Sequence, residues 1–94
     1  MKKLVSILIP VYNRESLIAD AINSALSQNY SNIEIIIADN CSTDGTYAIC
    51  KTYADREKKI RLYQNESNIG PIENFIKCAE YSKGDYIKYL LSDD

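Results

Sequence analysis

The feature that most constrains the fold of this chain is its regular alternation between continuous apolar segments and amphipathic ones. Apolar, β-branched runs predict four strands, at 5–9, 33–38, 60–63 and 86–91. Apolar residues recur with helical spacing between them, which predicts helices over 17–26, over 46–56, and from Pro71 to the segment 83–85. The order βαβαβαβ predicts an α/β fold, a Rossmann-like parallel sheet with helices on both faces and right-handed crossovers.

Residues with capping preferences mark where the helices begin. Asn13 is the expected cap of the first helix, and Ser42 is the expected cap of the second. Pro71 suits the first position of the third helix, where Glu73 can complete a capping arrangement.

Charge and composition exclude several functional classes. The chain has 11 Lys and Arg against 13 Asp and Glu, which gives a net charge of −2. This charge indicates neither the basic surface of a nucleic-acid-binding protein nor a basic face for anionic lipid. The apolar runs are far shorter than the roughly 20 residues that a membrane-spanning helix needs. Because histidine is absent, catalysis must use carboxylates, a metal held by oxygen ligands, or backbone dipoles.

The three cysteines, Cys41, Cys50 and Cys78, have wide and irregular spacing without a CxxC pair. This spacing indicates neither a zinc site nor a disulfide framework. Cys50 and Cys78 fall in predicted helices and are expected to be small core residues. A reducing, cytoplasmic compartment fits these thiols best.

Polar residues gather where the predicted strands end, which is where open parallel sheets bind ligands. The residues that follow the four strands in turn are 10–14, Asp39 with Asn40, 64–66, and Asp93 with Asp94. Each of them alone is equally well explained as a turn former, a helix cap or a solvated terminus. Their occurrence at one edge of the predicted sheet favours a binding site there.

Common ligand motifs of α/β folds are missing from the sequence. No GxGxxG follows the first strand, which disfavours a dinucleotide fold, and no GxxxxGK[ST] indicates a phosphate-binding loop. A phospho-acceptor receiver domain would have an acidic pair after the first strand, where Pro10, Val11 and Tyr12 stand instead.

Ordered motifs along the chain resemble the start of the family 2 glycosyltransferases with the GT-A fold. The motifs are VSILIPVYNR at 5–14, SALSQ at 24–28, IIIADNCSTDGT at 35–46, NIGP at 68–71 followed by Asn74, KGDYI at 83–87, and LLSDD at 90–94. The resemblance covers essentially the whole chain and implies the N-terminal half of a GT-A domain. It also implies an enzyme that transfers a sugar from a nucleoside diphosphate donor to an acceptor hydroxyl with inversion.

The family also implies roles for individual residues. Pro10 and Tyr12 would line the pocket for base and ribose, and Asp39 would accept a hydrogen bond from the uracil N–H of a UDP donor. The full set of nucleotide-binding residues implied by the resemblance is Pro10, Tyr12, Asn13, Arg14, Asp39, Asn40, Asn74 and Asp93.

The resemblance places a metal site at the end of the chain. Asp93 and Asp94 stand where the family has its DxD-type motif, which holds Mn²⁺ or Mg²⁺ against the diphosphate. Carboxylate oxygens suit such hard cations, which neutralise a pyrophosphate leaving group. We favour Asp94 as the direct ligand.

The sequence departs from the family pattern in three places. Leu91 replaces an acidic residue of the metal motif, and Asn40 replaces a second Asp after the second strand. No Arg lies near Asn74, so an Arg that neutralises the diphosphate is not carried over.

Domains that resemble this chain are more than twice as long. We therefore expect residues 1–94 to be a single nucleotide-sugar-binding subdomain, truncated just after the DxD-type motif and inactive alone. The general base is expected beyond Asp94. The resemblance implies polysaccharide or cell-surface glycan synthesis in the cytoplasm, at the inner face of the membrane, on a glycan or lipid-linked acceptor.

A second hypothesis is a non-catalytic nucleotide-binding or oligomerising module. The predicted strand 86–91 is long and mostly apolar, with Lys88 as its single charge. If this strand is left as an open sheet edge, it is a template for self-association.

Overall fold

The computed structural model describes residues 3–90 and contains seven elements in the predicted order. The strands are β1 (Val5–Val11), β2 (Ile33–Asp39), β3 (Ile60–Gln64) and β4 (Tyr86–Tyr89), and the helices are α1 (Ile18–Leu26), α2 (Thr46–Arg56) and α3 (Pro71–Tyr81). The strands pair in the order β3-β2-β1-β4, and every pair is parallel. The α/β fold that the alternation predicts is confirmed.

The two central strands, β1 and β2, are covered on both faces. One core contains Ile7 and Ile35 from the strands and receives Ile18, Ile22 and Cys50 from α1 and α2. The other contains Leu8 and Ile36 and receives Cys78 from α3. Burial on both faces explains why these strands are continuous apolar runs rather than alternating ones. Cys50 and Cys78 are both fully buried, as predicted.

Strand β1 continues through Pro10, where the sequence predicted that it would stop. The Leu8 carbonyl accepts from Leu90 N–H on the β4 side, so Pro10, two residues later, also directs its nitrogen to that side. The pairing of β1 with β4 ends at Leu8. The missing N–H of Pro10 therefore removes no hydrogen bond from the ladder between β1 and β2.

The two expected helix caps are wrong. Helix α1 begins at Ile18 after Leu17, far from Asn13, and Gly45 rather than Ser42 precedes α2. The Asp44 carboxylate accepts the Thr46 N–H at 2.9 Å and so serves the start of α2. Asn13 and Ser42 instead bond across the loops of the site described below.

Helix α3 begins at Pro71, as predicted. Gly70 precedes it at φ 87°, a left-handed conformation that glycine adopts without strain. Because Gly70 has no side chain, the capping arrangement that Glu73 would complete lacks its other half.

Three polar side chains meet near the amino ends of the strands, on the α3 face of the sheet. We call Ser6, Glu34 and Arg61 the amino-end cluster. Glu34 accepts a hydrogen bond from Ser6 Oγ at 2.5 Å and forms an ion pair with Arg61 at 3.2 Å. Glu34 also accepts the Lys83 N–H at 2.6 Å, while the Gly84 N–H donates to Ser6 Oγ at 2.8 Å. The cluster thus joins three strands to the segment that leads into β4.

Strand β4 lies at the edge of the sheet, and all four of its residues are exposed. The predicted strand 86–91 is confirmed over Tyr86–Tyr89, whereas Leu90 follows the strand and Leu91 lies outside the described residues. Within 3–90, no helix is long and apolar enough to cross a membrane.

Candidate functional site

The loops that follow β1, β2 and β3 meet at the carboxyl edge of the sheet and bring together most of the predicted site residues. We call this region the carboxyl-edge site. It contains Pro10, Tyr12, Asn13, Arg14, Asp39, Asn40 and Asn74. Asp93 and Asp94, the predicted metal ligands, lie outside the described residues.

Asp39, the last residue of β2, is a fully buried carboxylate. Its oxygens accept hydrogen bonds from the Ser42 backbone N–H at 3.1 Å, from the Ser42 hydroxyl, and from Gln64 Nε2 at 3.1 Å. A carboxylate has about four lone-pair positions, so these three donors satisfy most of its capacity. Burial of a charged group is tolerated only when such donors surround it.

The negative charge of Asp39 also acts on the core beneath it. Burial raises the pKa of the Cys50 thiol to about 12, and the nearby Asp39 charge adds to this effect. Cys50 is therefore an inert thiol of the core rather than a nucleophile.

The loop after β1 is held against the loop after β2 through Asn13. This residue adopts a left-handed conformation with φ 50°, which Asn tolerates better than most residues. Its N–H donates to Ser42 Oγ at 2.9 Å, and its Oδ1 accepts the Thr43 N–H at 2.8 Å. Ser42 therefore links Asn13 to Asp39, and the loops are fixed relative to the buried carboxylate.

The neighbours of Asn13 present an aromatic ring and a cation at the surface of the site. Tyr12 is 37% exposed. The Arg14 guanidinium donates to the carbonyls of Tyr12 at 3.1 Å and Asn13 at 3.0 Å, and the Arg14 N–H donates to Thr46 Oγ1 at 2.8 Å. The Arg14 side chain therefore stabilises the backbone of its own loop, and the Tyr12 side chain lies at the surface of that loop.

Asn40 and Asn74 are both 2% exposed and belong to a network of amides. Asn40 Nδ2 donates to Asn68 Oδ1 at 2.8 Å and to the Gly70 carbonyl at 3.3 Å. Asn65 Nδ2 donates to Asn40 Oδ1 at 3.0 Å and to Asn74 Oδ1 at 2.8 Å. Asn74 Nδ2 in turn donates to the Ala38 carbonyl at 3.0 Å.

This network fixes the ends of β2 and β3 to the start of α3. The side-chain groups of Asn40 are engaged with other protein groups, since its Oδ1 also accepts the Ile69 N–H at 2.9 Å. Asn40 and Asn74 are thus placed to position the site rather than to present free amides in it.

Sequence reasoning assigned no role to Gln64, Asn65 or Ser42 at the site. The first two follow the third predicted strand, and this position was the available signal. Ser42 carries a hydroxyl shortly before a helix, which is typical of a helix cap and gives no signal of a contact with Asp39.

The carboxyl-edge site can accept a hydrogen bond at a buried carboxylate and stack a ring against an exposed tyrosine. Within the described range 3–90, no group of three Asp, Glu, Cys or His side chains could hold a metal ion.

Comparison with known proteins gives the family. The family model described as Glycosyl transferase family 2 matches residues 6–94. A Bacillus subtilis protein named as the putative teichuronic acid biosynthesis glycosyltransferase TuaG is 39% identical over 93 residues, which are 99% of this chain and 37% of that protein. The chain spans about a third of the length of three curated relatives that it resembles, TuaG among them.

Solved structures give the same result at the level of the fold. The crystal structure of S. aureus TarS 1-349 in complex with UDP superposes with a TM-score of 0.85 at 29% identity, covering 99% of this chain and 28% of that one. The mannosyltransferase PcManGT from Pyrobaculum calidifontis, in complex with GDP-Man and Mn²⁺, superposes with a TM-score of 0.82 at 21% identity, covering 93% and 26%. The chain therefore belongs to glycosyl transferase family 2, and its parallel sheet is part of a GT-A fold.

Proposed function

We propose that this chain carries the donor-nucleotide site of an inverting glycosyltransferase that transfers a sugar from a UDP donor to an acceptor hydroxyl. One observation carries the proposal: a fully buried carboxylate, Asp39, ends a central strand, and the exposed Tyr12 directly follows Val11, which pairs with Asp39 in the sheet. A buried acceptor recognises a ring N–H of a base, and an aromatic surface suits the base or ribose. The UDP complex of TarS, a protein with a similar fold, supports this choice of nucleotide.

The proposal gives the remaining residues distinct parts. Pro10 and Tyr12 line the pocket, and Asn13 and Arg14 hold the loop that forms its wall. Asn40 and Asn74 act through the amide network, which sets the position of α3 relative to Asp39.

We assign the metal ion, Mn²⁺ or Mg²⁺, to Asp93 and Asp94, with Asp94 as the direct ligand. Two carboxylates suit a hard divalent cation. Strand β4 runs parallel to β1, and the Leu90 N–H still donates to the Leu8 carbonyl at 2.9 Å, so the described part of the chain ends while running towards the carboxyl edge. When bound, the ion would neutralise charge on the departing diphosphate.

Transfer also needs a general base for the acceptor hydroxyl, and we assign this role to none of residues 3–90. We therefore propose that the 94 residues form one donor-binding unit, which binds the nucleotide but does not transfer the sugar alone. A glycan or lipid-linked acceptor in polysaccharide synthesis is the proposed partner, and the name of TuaG supports this setting. The three cysteines are free, which supports a cytoplasmic location at the inner face of the membrane; cell fractionation tests that location.

Calorimetric titration of UDP into the chain, with and without Mn²⁺, tests the proposal. We expect binding that Mn²⁺ strengthens and that Asp39→Ala abolishes. Asp39→Asn keeps the size of the side chain and serves as the second variant, with circular dichroism to verify folding. Absence of binding at millimolar UDP, or full binding by both folded variants, would contradict the proposal.

A second candidate function, self-association, is favoured by β4, whose outer edge pairs with no other strand of residues 3–90. Tyr86 and Ile87 of β4 are 59% and 55% exposed, and an unpaired parallel edge is a template for another strand. We expect dimers in sedimentation velocity that Ile87→Lys weakens, while Leu17→Lys on a different surface leaves them intact. A monomer at all concentrations would contradict this candidate.

A further inference from the structure

The buried carboxylate of Asp39 accepts a hydrogen bond from a side chain at the surface. Gln64, the last residue of β3, is exposed, yet its Nε2 donates to Asp39 Oδ2 at 3.1 Å. This bond is the one that the Gln64 amide makes within residues 3–90. Asp39 itself has no exposed surface, so a base reaches its oxygens only after a surrounding group moves, and the three donors are the groups bonded to those oxygens.

The three donors differ in how freely they can leave. The Ser42 N–H belongs to the backbone. The Ser42 hydroxyl is fixed from its other side, because its oxygen accepts the Asn13 N–H at 2.9 Å. Gln64 is a flexible side chain at the surface and is held by one bond, so its departure disturbs neither loop.

We propose that Gln64 is the residue that the donor base displaces, and that it competes with the base N–H for Asp39. This inference rests on the proposed function of the site. Gln64 keeps the buried carboxylate hydrogen-bonded when the site is empty, since an unsatisfied buried acceptor is unfavourable. On binding, one N–H donor replaces another at the same oxygen, and the affinity for the base is lower than Asp39 alone would give.

The test is the affinity of the chain for UDP when Gln64 cannot donate. Gln64→Met keeps the length of the side chain and removes the amide. We expect the Kd for UDP to fall by about three- to tenfold, because the competing hydrogen bond from Gln64 to Asp39 is removed and one such bond corresponds to this range. Gln28→Met, which removes a different surface amide, is the matched control and leaves the Kd unchanged. Inorganic pyrophosphate, which has no base, binds both Gln64 forms equally.

A second variant makes the competition depend on pH. In Gln64→Glu the ionised carboxylate can only accept and so cannot compete with the base for Asp39, whereas the protonated carboxyl can donate to Asp39 again. We expect UDP binding by this variant to weaken more steeply than that of Gln64→Met as the pH is lowered. An unchanged or higher Kd for UDP in folded Gln64→Met, or an equal change for pyrophosphate, would overturn the inference while the proposed function stands. If the wild-type chain itself does not bind UDP, the proposed function fails first.

Discussion

The two ends of the central strands carry polar clusters of different kinds. In the amino-end cluster, the buried Glu34 is paired with the cation of Arg61, and their side chains are only 12% and 28% exposed. At the carboxyl edge, the buried Asp39 is held by a hydroxyl, a backbone N–H and the amide of an exposed glutamine. The Glu34–Arg61 ion pair lies mostly inside the protein and fixes the strands to one another. The neutral amide of Gln64 lies at the surface, so a ligand can replace it as the donor to Asp39. We therefore expect substitutions at the amino end to change stability without changing binding, and those at the carboxyl edge to change binding.

The largest expected effect is at the amino end. Glu34→Ala leaves the half-buried Arg61 and the buried Ser6 without their shared partner, and breaking such a pair costs about 3 kcal/mol in the free energy of unfolding. Urea unfolding measures this loss. Asp55→Asn breaks the exposed Lys51–Asp55 pair and is the matched control; we expect it to cost less than about 0.5 kcal/mol. Equal effects of both variants would contradict the structural role of the cluster.

A substitution at Gly84 tests how tightly the backbone is packed at the amino end of the sheet. A Cβ at this position would lie 2.8 Å from the Ser6 nitrogen and 2.9 Å from the Leu4 carbonyl, both of them backbone atoms. We expect Gly84→Ala to lower the free energy of unfolding by about 2 kcal/mol. In Gly45→Ala the new Cβ would meet the end of the exposed Glu15 side chain at 2.7 Å, which can move away. A cost of Gly45→Ala as large as that of Gly84→Ala would argue against a closed amino end.

Asn40→Asp tests the amide network at the other end. The substitution replaces the Nδ2 donor with an oxygen that faces the Asn68 and Gly70 oxygens. We expect a loss of about 1.5 kcal/mol in unfolding free energy, together with weaker UDP binding. Asn23→Asp on the exposed face of α1 is the control. If Asn40→Asp is as stable as the wild type, the network does not position the site.

The buried thiols give a smaller effect that depends on pH. Burial raises the pKa values of Cys50 and Cys78 from 9.0 to about 12. Because the pKa is higher in the folded state, the stabilisation is complete below pH 9 and is lost as the pH rises from 9 towards 12. At about pH 9.5 we expect a loss of about 0.8 kcal/mol per thiol.

Unfolding curves recorded at several pH values measure this dependence. Cys50→Ala should reduce the slope of stability against pH, whereas Cys41→Ala, at a partly exposed thiol, should not. The same slope in both variants would contradict the assignment.

The sequence was a good guide to the fold because β1 and β2 are buried on both faces and α1 to α3 on one. It failed where side chains bond across loops. Asn13 and Ser42 are residue types that often cap helices. They are hydrogen-bonded to each other instead, at a separation of 29 residues along the chain, which no local sequence pattern reveals. Glu34 likewise interrupts an apolar run, and its partners become visible only once the register pairs it with Ser6. The edge of the sheet that holds the site could be predicted, because the residues that follow parallel strands meet at one edge. The hydrogen-bond donors around Asp39 could not be predicted.

A nuclear magnetic resonance titration of the ¹⁵N-labelled chain with UDP compares both ends in one experiment. We expect the amide signals of Asn13, Asp39, Ser42 and Gln64 to shift progressively with added UDP. The signals of Ser6, Glu34 and Gly84 should stay in place. Shifts at the amino end with none at the carboxyl edge, or no shifts at millimolar UDP, would contradict the assignment of the donor site.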